Sequence, residues 1–172
     1  MKKKNFPLFA VLALIFTVLL IFIAYNQWPL LTGKKVVLAT MPVDPFDPLR
    51  GQYIIINYEI SRINASGDYQ NGDTIYVLLK ADDKGIWRQN GISNEKPKDS
   101  DFIKGKVTNA SGNNLRIEYG IEQYFFERNA SLPTRNMTVE AAISASGRAK
   151  IVRLLMDGKP IEIKYKEFDI KS

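Results

Sequence analysis

The chain has 172 residues, of which 45% are hydrophobic, 24% charged and 11% aromatic; that supplies one packed domain plus a membrane segment and excludes a wholly disordered chain. It contains neither cysteine nor histidine, which excludes disulfides, thiol catalysis, thiolate metal centres and imidazole-based triads. The formal net charge is +6, and where that charge sits matters more than its size.

Residues 1–5 carry Lys2, Lys3 and Lys4 and read as a short basic cytoplasmic tail. An apolar run follows over 6–25, interrupted by Pro7 and Thr17 and closed by Tyr25. A helix of about 20 residues rises roughly 30 Å, the thickness of a bilayer's hydrocarbon core. Pro7 falls in the first turn, where its missing N–H costs nothing. Tyr25 and Trp28 suit the membrane–water interface. The exit, Phe22-Ile23-Ala24-Tyr25-Asn26-Gln27-Trp28, offers no small-x-small cleavage site, which favours an anchor over a removed signal peptide. No polar face interrupts the run, unlike the helix of a soluble core. The lysines hold the N-terminus in the cytoplasm, so the chain is expected to cross the cell membrane once. A short linker over 26–33 then leads to an exported domain, periplasmic or extracellular, over 34–172.

All 18 acidic residues lie after position 40, and setting aside the three N-terminal lysines leaves 21 basic side chains against them. No basic block stands out beyond the tail, so a nucleic-acid partner is not expected. The partners expected are the lipid bilayer, through residues 6–25, and a membrane protein.

From residue 34 the pattern has period two more often than 3.6. Residues 34–40 form a β-branched run. Over 52–61, alternation puts Ile54, Ile56, Tyr58 and Ile60 on one face and Tyr53, Ile55, Asn57 and Glu59 on the other. A strand over 74–80 follows the Asn71-Gly72-Asp73 turn, and Asp82-Asp83-Lys84-Gly85 turns the chain towards Ile86, Trp87 and Arg88. Residues 91–100 read as an irregular loop. Segments 102–108 and 115–119 pair through Ser111-Gly112-Asn113-Asn114. Only 121–128 could form a brief helix. A meander over 139–144, 150–156 and 160–165 turns at Ala145-Ser146-Gly147 and Asp157-Gly158. The expectation is an all-β fold, an antiparallel barrel or sandwich with one N-terminal transmembrane helix.

Two stretches carry a resemblance. The first runs from Met41-Pro42-Val43-Asp44-Pro45-Phe46-Asp47-Pro48-Leu49-Arg50 into Gly51-Gln52-Tyr53-Ile54-Ile55-Ile56-Asn57-Tyr58-Glu59-Ile60-Ser61. The second is Glu118-Tyr119-Gly120-Ile121-Glu122-Gln123-Tyr124-Phe125. Together they resemble the bacterial GDYXXLXY family, whose signature is Gly-Asp-Tyr-x-x-Leu-x-Tyr. Gly51, Tyr53 and Tyr58 match it. Ile56 stands where Leu is usual, Gln52 replaces the Asp, and Phe46 stands where a basic residue is expected. The resemblance implies one N-terminal transmembrane helix and an all-β exported part, and no particular activity. A role that needed the signature Asp, in cation binding or proton transfer, would be lost with Gln52.

Packing and turn chemistry account for much of the motif. Gly51 opens a strand, and Tyr53 and Tyr58, an odd number apart, face opposite ways. Asp44, Asp47, Glu59, Glu118 and Glu122 are the carboxylates that a cation site or an acid/base pair would use. Asp44-Pro45-Phe46-Asp47-Pro48 lacks calcium-loop spacing, so no metal ligand set and no cofactor is assigned. A Ser/Lys peptidase would need a serine where Thr40-Met41-Pro42 has none. Tyr119, Tyr124, Phe125 and Phe126 cluster around Gly120 and Glu122, either as core or as an aromatic platform. Arg50 and Glu122 are candidates for an ion pair joining the two stretches. The role expected is an accessory or protein-interaction subunit at the envelope. The alternatives are an envelope hydrolase working through Asp44, Asp47 or Glu122, and a ligand- or metal-binding module.

Overall fold

A computed structural model describes residues 6–41, 53–125, 130–131, 136–161 and 164–165. Helix α1 spans Phe6–Thr32. Its Leu8–Thr32 stretch is long and apolar enough to cross a membrane, and the most apolar part of it is not buried against the domain. A soluble core helix hides its apolar face, so exposure on all sides sets α1 apart. Three of its polar side chains fold back on the helix: Thr17, Asn26 and Thr32 donate to the carbonyls of Ala13, Phe22 and Trp28 at 2.8, 3.0 and 3.0 Å. Groups satisfied in this way are tolerated in hydrocarbon.

The helix continues through 26–32, the segment read as linker, and only Gly33 separates it from the first strand. Pro29 lies inside this last stretch. Having no N–H, it leaves the Tyr25 carbonyl without its helical donor. Arg148 takes that place, with Nη1 donating to the Tyr25 carbonyl at 3.3 Å and the guanidinium 4.0 Å from the Tyr25 ring centre.

The strands are β1 (Lys34–Ala39), β2 (Tyr53–Ile55), β3 (Arg62–Asn64), β4 (Thr74–Ala81), β5 (Ile86–Ser93), β6 (Phe102–Ser111), β7 (Asn114–Glu118), β8 (Gln123–Phe125), β9 (Ala130–Ser131), β10 (Met137–Ile143), β11 (Ala149–Met156), β12 (Lys159–Pro160) and β13 (Lys164–Tyr165). Nine of them form one sheet in the order β12-β11-β10-β1-β5-β4-β6-β7-β3, while β2–β8 and β9–β13 are separate ribbons. Among the described residues pairing is antiparallel except between β1 and β5, which run parallel through Val37↔Ile86 and Leu38↔Trp87.

Several strands bury alternate residues: Val36 and Leu38 in β1, Ile75, Val77 and Leu79 in β4, Leu115 and Ile117 in β7, Met137 and Val139 in β10. A sheet with one apolar face must bend round its own core or find a second layer. This sheet bends, helped by ladder irregularities at Leu78/Leu79, Val107/Asn109 and Glu140/Ala141. The curl brings the β10–β11 turn against β6, where the Lys104 N–H donates to the Gly147 carbonyl at 2.8 Å. Among the described residues no ladder joins the sheet's two edges, so the all-β fold is sandwich-like and not a closed barrel.

Two segments differ from the sequence reading. The loop expected over 91–100 begins later, because β5 continues pairing with β4 through Ile92 and Ser93. The brief helix expected over 121–128 does not form at 121–125, where β8 is extended; its partner β2 supplies hydrogen bonds that a lone helical turn would lack. The meander is present as β10, β11 and β12, with Asp157 and Gly158 both at positive φ in the tight turn. Residues 164–165 leave it to pair with β9.

Candidate functional site

The two stretches that carry the family resemblance are neighbours in space. β2 pairs with β8 through Tyr53↔Phe125, Ile54↔Tyr124 and Ile55↔Gln123. The contact extends one step further, with the Ile56 N–H donating to the Glu122 carbonyl at 2.6 Å. Beyond it the chain passes the Thr40↔Tyr58 bridge and enters a 3-10 turn at Glu59–Ser61. Ile54, Ile56, Tyr58 and Ile60 point inward along this path, whereas Ile55 and Glu59 are exposed.

Tyr58 is fully buried, and its hydroxyl donates to the Ile121 carbonyl at 2.6 Å. Tyr119 is also buried and donates to the Ile60 carbonyl at 2.5 Å. Each hydroxyl thus enters the backbone of the other stretch. Burial pushes both hydroxyl pKa values well above the usual tyrosine range, and the nearby Glu122 carboxylate pushes the same way. Both tyrosines therefore stay protonated and serve as donors.

Glu122 is committed to its own turn. Its Oε1 accepts from the Tyr119 N–H at 2.5 Å and its Oε2 from the Gly120 N–H at 2.9 Å. Gly120 has φ +78°, a conformation that other residues reach only with strain. Tyr124 is half-buried against the core, and Phe125 is 72% exposed. Asp44, Asp47, Arg50 and Gly51 lie outside the described residues, as do Gln52, Phe126 and the Arg50 half of the expected ion pair. Tyr53 is placed by its backbone pairing with Phe125.

The remaining carboxylate candidates are dispersed. Glu59 forms an ion pair with Arg88, which also reaches Asp82 at 2.9 Å. The Arg88 hydrogen bond holds the Asp82 carboxyl below its usual range. Among the described residues no three Asp or Glu side chains come close enough to hold a metal ion.

A second feature escaped the sequence reading. A groove of about 730 Å³ is lined by Lys104, Lys106, Arg148 and Lys150, with Glu118 the one carboxylate among the described residues, and Tyr119 and Gly120 form part of its wall. The signal was two Lys/Arg pairs spaced by two, one on β6 and one at the entry to β11, with Arg148 just before the strand and Lys150 within it. Such spacing puts each pair on one strand face. A search for contiguous basic blocks passes over it.

Fold and clasp together define the class: a curled all-β domain carried on one exposed apolar helix, with two distant segments locked by reciprocal tyrosine hydrogen bonds. Within that class the chain belongs to the GDYXXLXY family, whose model, described as GDYXXLXY protein, matches residues 15–154. The match begins inside α1 and ends in β11, so it takes in both the tyrosine clasp and the basic groove. Neither a curated protein nor a solved structure matches the chain.

Proposed function

We propose that this chain is a single-pass protein of the cell membrane, with its N-terminus in the cytoplasm and its β domain exported. The domain acts as a non-enzymatic accessory subunit that docks on a membrane protein. One observation carries the reading: among the described residues of the two family-like stretches, the best-placed polar side chains are spent on the fold itself. Tyr58, Tyr119 and Glu122 each hold backbone groups. On the outer side of the same ribbon, Ile55 and Phe125 are 49% and 72% exposed. Apolar and aromatic side chains held outward on a rigid ribbon suit a protein contact.

The test is crosslinking and co-purification in mild detergent from native membranes, comparing the natural chain with Ile55→Ser/Phe125→Ser. A membrane protein should co-purify with the natural chain and be lost with the variant, while the variant keeps its melting temperature. If Glu122→Gln, folded and still bound to its partner, abolished the cellular phenotype, an enzymatic role would replace this one. Protease added from outside should trim the domain in intact cells, and alkaline carbonate should leave the protein in the membrane.

A further inference from the structure

We propose that the groove of Lys104, Lys106, Arg148 and Lys150 binds the phosphate-bearing headgroups of anionic lipids in the bilayer that α1 enters. The inference rests on α1 being a membrane span.

Depth is the first argument. Arg148 does not meet α1 at its end; it meets Tyr25, seven residues before Thr32. At 1.5 Å per residue, that contact lies roughly 10 Å back towards the bilayer from the helix end. The apolar run closes at Tyr25, and tyrosine is a residue of the headgroup level. The β10–β11 turn therefore reaches down to the lipid phosphates, and the groove opens beside it. Lys104 is held there by its N–H bond to Gly147.

Charge is the second. Other cations on β1 and β11 are ion-paired: Lys34 with Asp101 at 2.8 Å, and Lys35 and Arg153 with the shared carboxylate of Glu140 at 4.0 and 2.5 Å. Lys104, Lys106 and Lys150 have no ion-pair partner among the described residues, and Glu118 alone opposes them in the groove. Concentrated, unneutralised ammonium groups bind phosphate oxygens as point charges, and the Tyr25-stacked guanidinium of Arg148 adds a directed donor fork. Juxtamembrane basic residues are drawn to anionic leaflets by this mechanism. The groove would fix how the domain sits on the surface.

The full-length protein, reconstituted in nanodiscs of phosphatidylcholine with or without phosphatidylglycerol, tests this by the acetylation rate of each lysine, read by mass spectrometry. Lys104, Lys106 and Lys150 should react roughly fivefold more slowly in the anionic discs. High salt should remove that protection. Lys159, at the opposite end of β11, should react equally in both. Equal rates at the groove lysines in the two discs would overturn the proposal. Equal protection by inorganic phosphate added to phosphatidylcholine discs would assign the groove to free phosphate and overturn the lipid assignment. If carbonate strips the protein from membranes, the span itself has failed; if the protein stays while its lysines remain unprotected, only the headgroup site has failed.

Discussion

Tyr58 and Tyr119 each donate a buried hydroxyl into the segment that carries the other, Tyr58 to the Ile121 carbonyl and Tyr119 to the Ile60 carbonyl. The acceptors lie 63 and 59 residues from their donors. Two bonds of opposite direction fasten the β2–β8 ribbon and the 3-10 turn to the sheet as one body. The signature tyrosine at 58 is thus an architectural donor, and its partner belongs to the second family-like stretch.

Removing either hydroxyl leaves a buried carbonyl without its donor, which costs about 1–3 kcal/mol. Tyr58→Phe and Tyr119→Phe should each lower unfolding free energy by that amount, measured by denaturant titration in detergent. The double variant should lose less than the sum, because both bonds hold the same two segments. Strict additivity would show that they act independently.

The same tyrosines set an alkaline limit. Their folded pKa values are raised above the ordinary 10.0, chiefly by burial. Above about pH 10 the unfolded chain loses these protons while the folded chain keeps them, so the folded state binds more protons and stability falls as pH rises. Below that point their contribution is fully present. Melting temperature followed from neutral to alkaline pH should turn down there, and Tyr58→Phe should flatten the descent.

Gly105 and Gly120 should respond differently to a methyl group. A Cβ on Gly105 would lie 2.3 Å from Ile117 Cγ2 and 2.9 Å from Tyr119 Cε1, so it displaces the ring that bonds Ile60. Overpacking of this kind costs about 1–3 kcal/mol, before the lost hydrogen bond. A Cβ on Gly120 meets nothing within 4 Å, leaving only the strain of φ +78°, about 1–2 kcal/mol. Gly105→Ala should melt well below Gly120→Ala in a thermal scan; the reverse order would mean that the Tyr119 ring yields freely.

Glu122 caps its turn with both oxygens. Glu122→Ala should cost about 1–3 kcal/mol by stripping the acceptors from two N–H groups, and Glu122→Gln less, since one carbonyl oxygen remains. Unfolding measured on the two variants should rank them in that order.

Pro29 and Arg148 couple helix to domain. Pro29→Ala restores a helical N–H to the Tyr25 carbonyl and competes with Arg148 for it. Arg148→Lys keeps the charge but loses the stacked fork. Spin-label distances between α1 and the β10–β11 turn should broaden in both variants, most in the pair. Unchanged distributions would show that other contacts hold the junction.

Much of the strand pattern was legible because burial alternates with the pleat. The inward set of Ile54, Ile56, Tyr58 and Ile60 follows from period two alone, even where the ladder gives way to a 3-10 turn. The Asp157–Gly158 hairpin was legible for the same local reason, since both residues accept positive φ. The extended state of 123–125 was not, because it depends on a partner strand far away in sequence. The groove cations were not legible either: Lys104 and Lys106 come from β6, and Arg148 and Lys150 from the entry to β11, segments that only the curl of the sheet brings together.

From residue order alone follow the apolar span, the strand-rich domain after it, and the family-like segments, because hydrophobic run length and side-chain alternation are local properties of the chain. Which strands adjoin, that Tyr58 and Tyr119 trade hydrogen bonds, that Glu122 caps a turn, and that Arg148 reaches Tyr25 were decided by tertiary structure. Those contacts join residues tens of positions apart, and only the bending of one sheet around a single core determines who meets whom.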